Sequence, residues 1–239
     1  MKLWAVAGLA VMFFACGDDS SSAKDLEVTF GTMIDRRDDK EYKTVTIGSQ
    51  TWMAENLNYA DSVATASLKG KSWCYNNESK NCDEFGRLYT WAAAIDSVKL
   101  ATDAAKSLDC GFGKACVLMD MVQGICPRGW HLPTYREWDA LLAAVGGEST
   151  AGEVLKSQEG WYDNGNGTDS FGFSALPAGR TNGEGDFLRD GTSAYFWSSS
   201  ADRRYYAYYV GLNYYDADAI LFADSKHFGF SVRCIKDEE

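Results

Sequence analysis

The sequence predicts an α+β fold held together by disulfides, and three observations lead there. The stretch from Thr134 to Gly147 carries a helix with both ends marked. The second half of the chain contains apolar runs with the two-residue period of strands. Six cysteines follow an export-type leader, and exported thiols pair. Of 239 residues, 46% are hydrophobic and 14% aromatic, enough for a packed core. A formal net charge of −11 offers a phosphate backbone no basic field, so no nucleic-acid partner is expected.

The leader is the unbroken apolar run Leu3 to Phe14, after Met1-Lys2. At about 1.5 Å per residue it is too short for a hydrocarbon core about 30 Å thick. Residues 1–15 therefore read as a lipoprotein signal peptide. Phe13-Phe14-Ala15-Cys16 resembles a bacterial lipobox, which makes Cys16 the acylated N-terminus and the membrane the first partner. Residues 16–32 then form the lipid anchor and a flexible polar tether, and residues 33–236 the folded domain. Asp18-Asp19 resembles the surface-export signals of some Gram-negative lipoproteins. The expected location is the outer membrane, facing outward.

Within the domain, Met33 to Asp35 and Glu41 to Ile47 flank the charged turn Arg36 to Lys40, which predicts a hairpin. Gln50 to Ala54 continues as a strand. Phe85 to Ala94 runs into a predicted short helix of alanine and aromatic residues. Residues 96–125 carry little pattern and read as an excursion stapled at Cys110 and Cys116. Thr134 and Glu137 then form a capping box, T-x-x-E, in which each side chain satisfies a backbone donor of the other. Trp138, Leu141, Leu142 and Val145 make one apolar stripe, and Gly146-Gly147 ends the helix. Further strands are expected over 194–199, 205–212, 219–222 and 228–235. In the last, Phe228, Phe230, Val232 and Cys234 share a face, which points the final cysteine inward.

Several segments together resemble the Fibrobacter succinogenes major paralogous domain. They include Thr51 to Tyr59, Gly86 to Ala94, Cys126 to Pro133, Phe173 to Gly179, Tyr195 to Ser199 and Gly229 to Cys234. The resemblance implies a C-type lectin-like fold, with two helices beside small antiparallel sheets and long loops. It also implies an exported, often lipid-anchored protein, without a general activity. The related formylglycine-generating oxidases share a helix-entry motif like Gly129 to Thr134. They need a late, closely spaced cysteine pair, whereas residues 127–233 hold no cysteine.

The six cysteines after Cys16 admit many pairings. Proximity favours Cys74 with Cys82 and Cys110 with Cys116, leaving Cys126 with Cys234, a pair that also fits the long bond of lectin-like folds. There is no C-x-x-C, and His131 and His227 are the only histidines, so structural zinc is the poorer reading.

No catalytic signature is present, and a non-enzymatic protein is expected. His131 sits in a packing motif, and no nucleophile elbow accompanies it. No cofactor is expected apart from calcium, for which Asp163, Asn164, Asn166 and Asp169 supply oxygens on a glycine-permitted loop, with Thr168 between them. The alternative is a plain Asn/Gly turn. The candidate ligand-binding surface is aromatic. Tyr206, Tyr208, Val210 and Leu212 share the strand face expected to be core. Tyr205 and Tyr209 are left outward, and Tyr214 and Tyr215 follow in the turn. Such tyrosines stack on sugar rings or on a partner protein. The expected function is carbohydrate or extracellular-protein binding at the cell surface; assembly within the envelope and an enzyme site formed only in three dimensions are the alternatives.

Overall fold

The computed structural model describes residues 26–118 and 121–238, so the leader, Cys16 and the first part of the tether lie outside the described residues. In chain order the strands are β1 (Val28–Asp35), β2 (Lys40–Ile47), β3 (Gln50–Met53), β4 (Ser72–Trp73), β5 (Leu88–Thr90), β6 (Trp130–His131), β7 (Ala178–Thr181), β8 (Phe187–Asp190), β9 (Ser193–Ala201), β10 (Tyr206–Asn213), β11 (Ala219–Ser225), β12 (Gly229–Phe230) and β13 (Ile235–Lys236). The α-helices are α1 (Ser79–Phe85), α2 (Trp91–Ala94), α3 (Ser97–Thr102), α4 (Tyr135–Ala144) and α5 (Glu148–Leu155).

The strands form three sheets with orders β1-β2-β3-β13-β6, β4-β5-β12-β7-β8 and β11-β10-β9, and every ladder is antiparallel. The protein is therefore mainly β, which overturns the expected α+β, C-type lectin-like arrangement of two helices. The longest helix among the described residues, α4, has only 10 residues. Short helices gain little from their own hydrogen bonds, and here long-range strand pairing organises the interior instead.

β1 begins at Val28, so residues 28–32, read as the end of the tether, are strand. It pairs with β2 from Val28↔Ile47 to Asp35↔Lys40, as the hairpin pattern required. The turn is fixed by a buried Asp35, whose carboxylate accepts from Arg37 Nη2 at 2.6 Å. The Arg37 guanidinium lies over Tyr59, 3.8 Å from the ring centroid. The segment from Phe85 runs into a short helix as expected: β5 leads into α2, with Thr90 capping the turn through Ala93 N.

α4 forms as its sequence dictates. The capping box between Thr134 and Glu137 is complete, and Trp138, Leu141 and Leu142 are buried. Gly146 and Gly147 follow with φ of 113° and 91°, conformations that disfavour a side chain.

Gly229 to Lys236 connects all three sheets. β12 pairs with β5 and β7, Ser231 bridges to Phe196 of β9, and β13 lies between β3 and β6. The expected continuous strand over 228–235 is broken for that reason, because the chain changes sheets within it. Cys234 is fully buried, as its face predicted. All three disulfides join the expected partners, Cys74–Cys82, Cys110–Cys116 and Cys126–Cys234.

The core is double. One cluster holds Trp91, Trp197, Tyr209 and Phe230; the other holds Trp52, Trp138, Phe173, Phe196 and Val210. β9 and β10 supply both, sending alternate residues to each.

Candidate functional site

An aromatic cleft opens where the first turn of α4 meets the β9–β10 hairpin. Asp202 N and Arg203 N both donate to Tyr206 O, at 3.1 and 3.2 Å, closing the hairpin turn. This tight closure places the Asp202 carboxylate beside β10, where its Oδ1 accepts from the Tyr208 hydroxyl at 3.2 Å. Arg203 Nε lies 3.5 Å from Asp202 Oδ2, so a carboxylate and a guanidinium stand together at the rim.

Tyr135 opens α4, and its backbone N donates to Ser200 Oγ at 3.0 Å, fastening the helix start to β9. Its ring meets Tyr208 edge-on, with centroids 4.9 Å apart and planes at 73°. Leu221 and Phe222 of β11 close the other wall, giving a cleft of about 380 Å³. Tyr206 is 45% exposed and Phe222 64%. Aromatic walls with a few fixed polar groups suit an amphipathic ring, whose C–H faces stack while its hydroxyls meet Asp202 and Arg203.

The four tyrosines singled out from the sequence do not form one surface. Tyr209 is buried at 6% exposure, packed against Tyr195 and Phe230 at 5.7 and 5.1 Å. Burial pushes its hydroxyl pKa up to about 12. Tyr205 is exposed but packs on Phe112, at 5.0 Å, outside the cleft. Tyr214 is half-buried between Tyr162 and Tyr215, at 5.5 and 5.2 Å, with Tyr215 exposed.

The face assignment failed because β10 is covered on both sides: Val210 and Leu212 enter one core, Ala207 and Tyr209 the other. Only its first end escapes cover, where the register shifts between Ala207 and Tyr209. Tyr206 and Tyr208 are exposed or half-exposed there. Sequence reasoning missed them, along with Tyr135 and Phe222. The available signal was the polar run Asp202-Arg203-Arg204 shortly before a tyrosine pair spaced by two.

Two of the expected calcium ligands, Asn166 and Asp169, accept hydrogen bonds within their own loop. Asn166 Oδ1 accepts from Trp161 N at 3.0 Å. The Asp169 carboxylate accepts from Ser174 N and Ser174 Oγ, at 2.7 and 2.6 Å. Asp163 and Asn164 are exposed with φ of 51° and 57°, a turn conformation that Asp and Asn tolerate. Among the described residues, no group of three or more His, Cys, Asp or Glu is placed to hold a metal ion.

His131 is buried between two carboxylates. Nε2 lies 2.8 Å from Glu137 Oε1, and Nδ1 lies 2.8 Å from Asp237 Oδ1. Both contacts are hydrogen bonds only when both ring nitrogens carry protons. Burial lowers the His131 pKa, but the bonds and charges of Glu137 and Asp237 outweigh it, and the net shift is upward. Glu137 Oε2 also accepts from Thr134 N and Oγ1, so the same carboxylate caps the helix and holds the imidazole. With both nitrogens engaged, His131 clamps Asp237 to the start of α4. His227 is exposed and lies against Phe112, 3.8 Å between centroids with the ring planes tilted at 47°.

The family model for the Fibrobacter succinogenes major domain matches residues 45–236, which include every residue lining the cleft and nearly all of both cores. The chain belongs to that family. No curated protein and no solved structure matches it. Within this family member the cleft is formed late in the matched region, while β1 and most of β2 precede it. No helix among the described residues is long and apolar enough to cross a membrane.

Proposed function

We propose that this protein is a non-catalytic, lipid-anchored envelope protein that binds carbohydrate in the cleft between α4 and the β9–β10 hairpin. The reading rests on one observation: Tyr135, Tyr206, Tyr208 and Phe222 line a cleft whose rim carries Asp202 and Arg203. Anchoring is supported by the apolar leader and the lipobox-like Phe13 to Cys16. With two or more acyl chains, Cys16 would hold the domain at a bilayer.

A glycan array and a pull-down on insoluble polysaccharide test the binding, using wild type and the double variant Tyr206→Ala/Phe222→Ala. Wild-type binding that is lost in the variant is the expected result. A wild type that retains no glycan overturns the carbohydrate reading, and a variant that binds normally removes the cleft from it. Labelled palmitate incorporated by wild type and lost in Cys16→Ala checks the anchor.

A further inference from the structure

β1 ends its sheet, and its outer edge is open. In an antiparallel ladder the backbone groups of successive residues point alternately to either side. Ala54 N donates to Lys43 O at 2.8 Å, so the odd residues of β2 face β3 and its even residues face β1. Gly48 N donates to Glu27 O at 3.0 Å, in agreement. In the register Val28↔Ile47 to Asp35↔Lys40, those even residues pair with the odd residues of β1. The N–H and C=O of Val28, Phe30, Thr32 and Ile34 therefore point away from the sheet. Among the described residues they have no backbone partner.

Edge strands are normally blunted by charge, proline, a bulge or shortness. From Val28 to Ile34 β1 has no charged residue and no proline, and its pairing with β2 runs unshifted over eight residues. The other edges are managed. β4 and β6 have two residues each, and β8 carries Arg189 and Asp190. β9 bonds to Ser231 and Pro133, and β11 lies beside α4 and α5. The apolar face of the first sheet also runs past its cover. Val45 and Ile47 of β2 are buried, yet on the same face of β1 Phe30 is 72% exposed and Ile34 59%. Phe30 is steadied from one side by Gly172, where an added Cβ would collide with the ring.

We propose that β1 pairs with β1 of a second copy of this chain, antiparallel about a two-fold axis at Thr32, so that two sheets become one. The edge is complementary to itself in that register. Thr32 faces Thr32, and Phe30 faces Ile34 of the second copy on either side of the axis. These are the residues whose backbone groups point outward, so each gives its N–H and accepts at its C=O. Aromatic–β-branched and threonine–threonine pairs are favourable neighbours across strands. Charge also favours this occupant: copies of net charge −11 repel, and Val28 to Ile34 is an uncharged strip along which they can approach. The chain's own preceding segment suits the edge poorly, since Gly17 to Asp25 holds three aspartates, one lysine and no β-branched or aromatic residue. β1 lies before the matched region 45–236 and lends no residue to the cleft, so the pairing stands apart from the binding proposed above.

Eight residues a side fall short of the roughly 20–30 of a standard interface, so the pair should be weak and its mass should depend on concentration. Sedimentation equilibrium of the full chain up to millimolar concentration tests this, with Cys16→Ser to remove a free thiol and density-matched detergent for the apolar leader. The mass should rise from one chain towards two. Thr32→Lys sets two ammonium groups opposite each other at an exposed position. It should weaken association by about five-fold or more and leave the melting temperature unchanged. Thr32→Cys should oxidise to a linked dimer, because residues paired in this way lie about 5.5 Å apart. Thr29→Cys, also exposed but far from its own counterpart in this register, should not. A chain that stays single at every concentration overturns the pairing, and so does growth beyond two chains. Association that ignores Thr32→Lys, or cross-linking that is equal at positions 29 and 32, overturns it as well.

Discussion

Arg233 Nε donates to Asn56 Oδ1 at 2.6 Å, joining the terminal segment to the loop after β3 across 177 residues of sequence. The guanidinium is wholly buried and also donates to the carbonyls of Met53, Phe173 and Ser174. Its face lies against Phe173 and Phe196, 4.7 and 5.4 Å from the ring centroids. Desolvation pulls its pKa down to about 9, opposed by the charges of Asp169 and Glu55. One side chain thus joins the terminal segment to two others, Met53–Asn56 and Phe173–Ser174.

Asn56→Ala should therefore destabilise the protein by about 1–3 kcal/mol, the cost of an orphaned buried donor. Arg233→Met should cost at least as much, because several carbonyls lose their donor together. Urea denaturation of both singles and the double would check this, and the double should fall short of the sum. Additive losses would mean that the two residues act independently.

The Cys126–Cys234 bond closes a separation of 108 residues, against 8 for Cys74–Cys82. In the chain-entropy model the longer loop is worth about 2 kcal/mol more. Paired Cys→Ala variants, compared by chemical denaturation, should show Cys126→Ala/Cys234→Ala as the more damaging. Equal losses would contradict this ranking.

Stability should depend on pH through the His131 clamp. The folded His131 pKa is raised above 6.5, so its contribution is complete below that value and is lost as pH rises through the raised pKa. Glu137 is net lowered below 4.5: burial raises its pKa, but the bonds from His131 and Thr134 win. Its contribution is lost as pH falls through that lowered pKa. The pair is most stabilising between those limits. Thermal melts of wild type and His131→Gln from pH 4 to 9 should show the gap between them shrinking at both ends. A constant gap would mean that folding leaves the His131 pKa unchanged.

In the cleft, Phe222→Ala should weaken glycan binding by about two- to ten-fold, the worth of one stacking contact. Phe222 is mostly exposed, so the melting temperature should stay near that of wild type. Tyr208→Phe keeps the ring but removes the hydroxyl held by Asp202, and should alter selectivity among sugars more than total affinity. A glycan array on both variants separates the two effects.

Local chemistry determined several features that the structure reproduces. The capping box, apolar stripe and double glycine specify α4, because each acts within a few residues. The charged turn places the first hairpin, and short separations pair two of the disulfides. Motifs spread along the chain identified its family. Only the tertiary structure decided the rest. A period of two says which residues share a strand face, but not what covers that face. Tyr209 looked outward until a second core closed over it, while Tyr206 and Tyr208 looked inward until α4 proved to begin beside them. The terminal segment read as one strand and became two because it crosses between sheets. Burial is a property of neighbours, and most of the neighbours that matter here are remote in sequence.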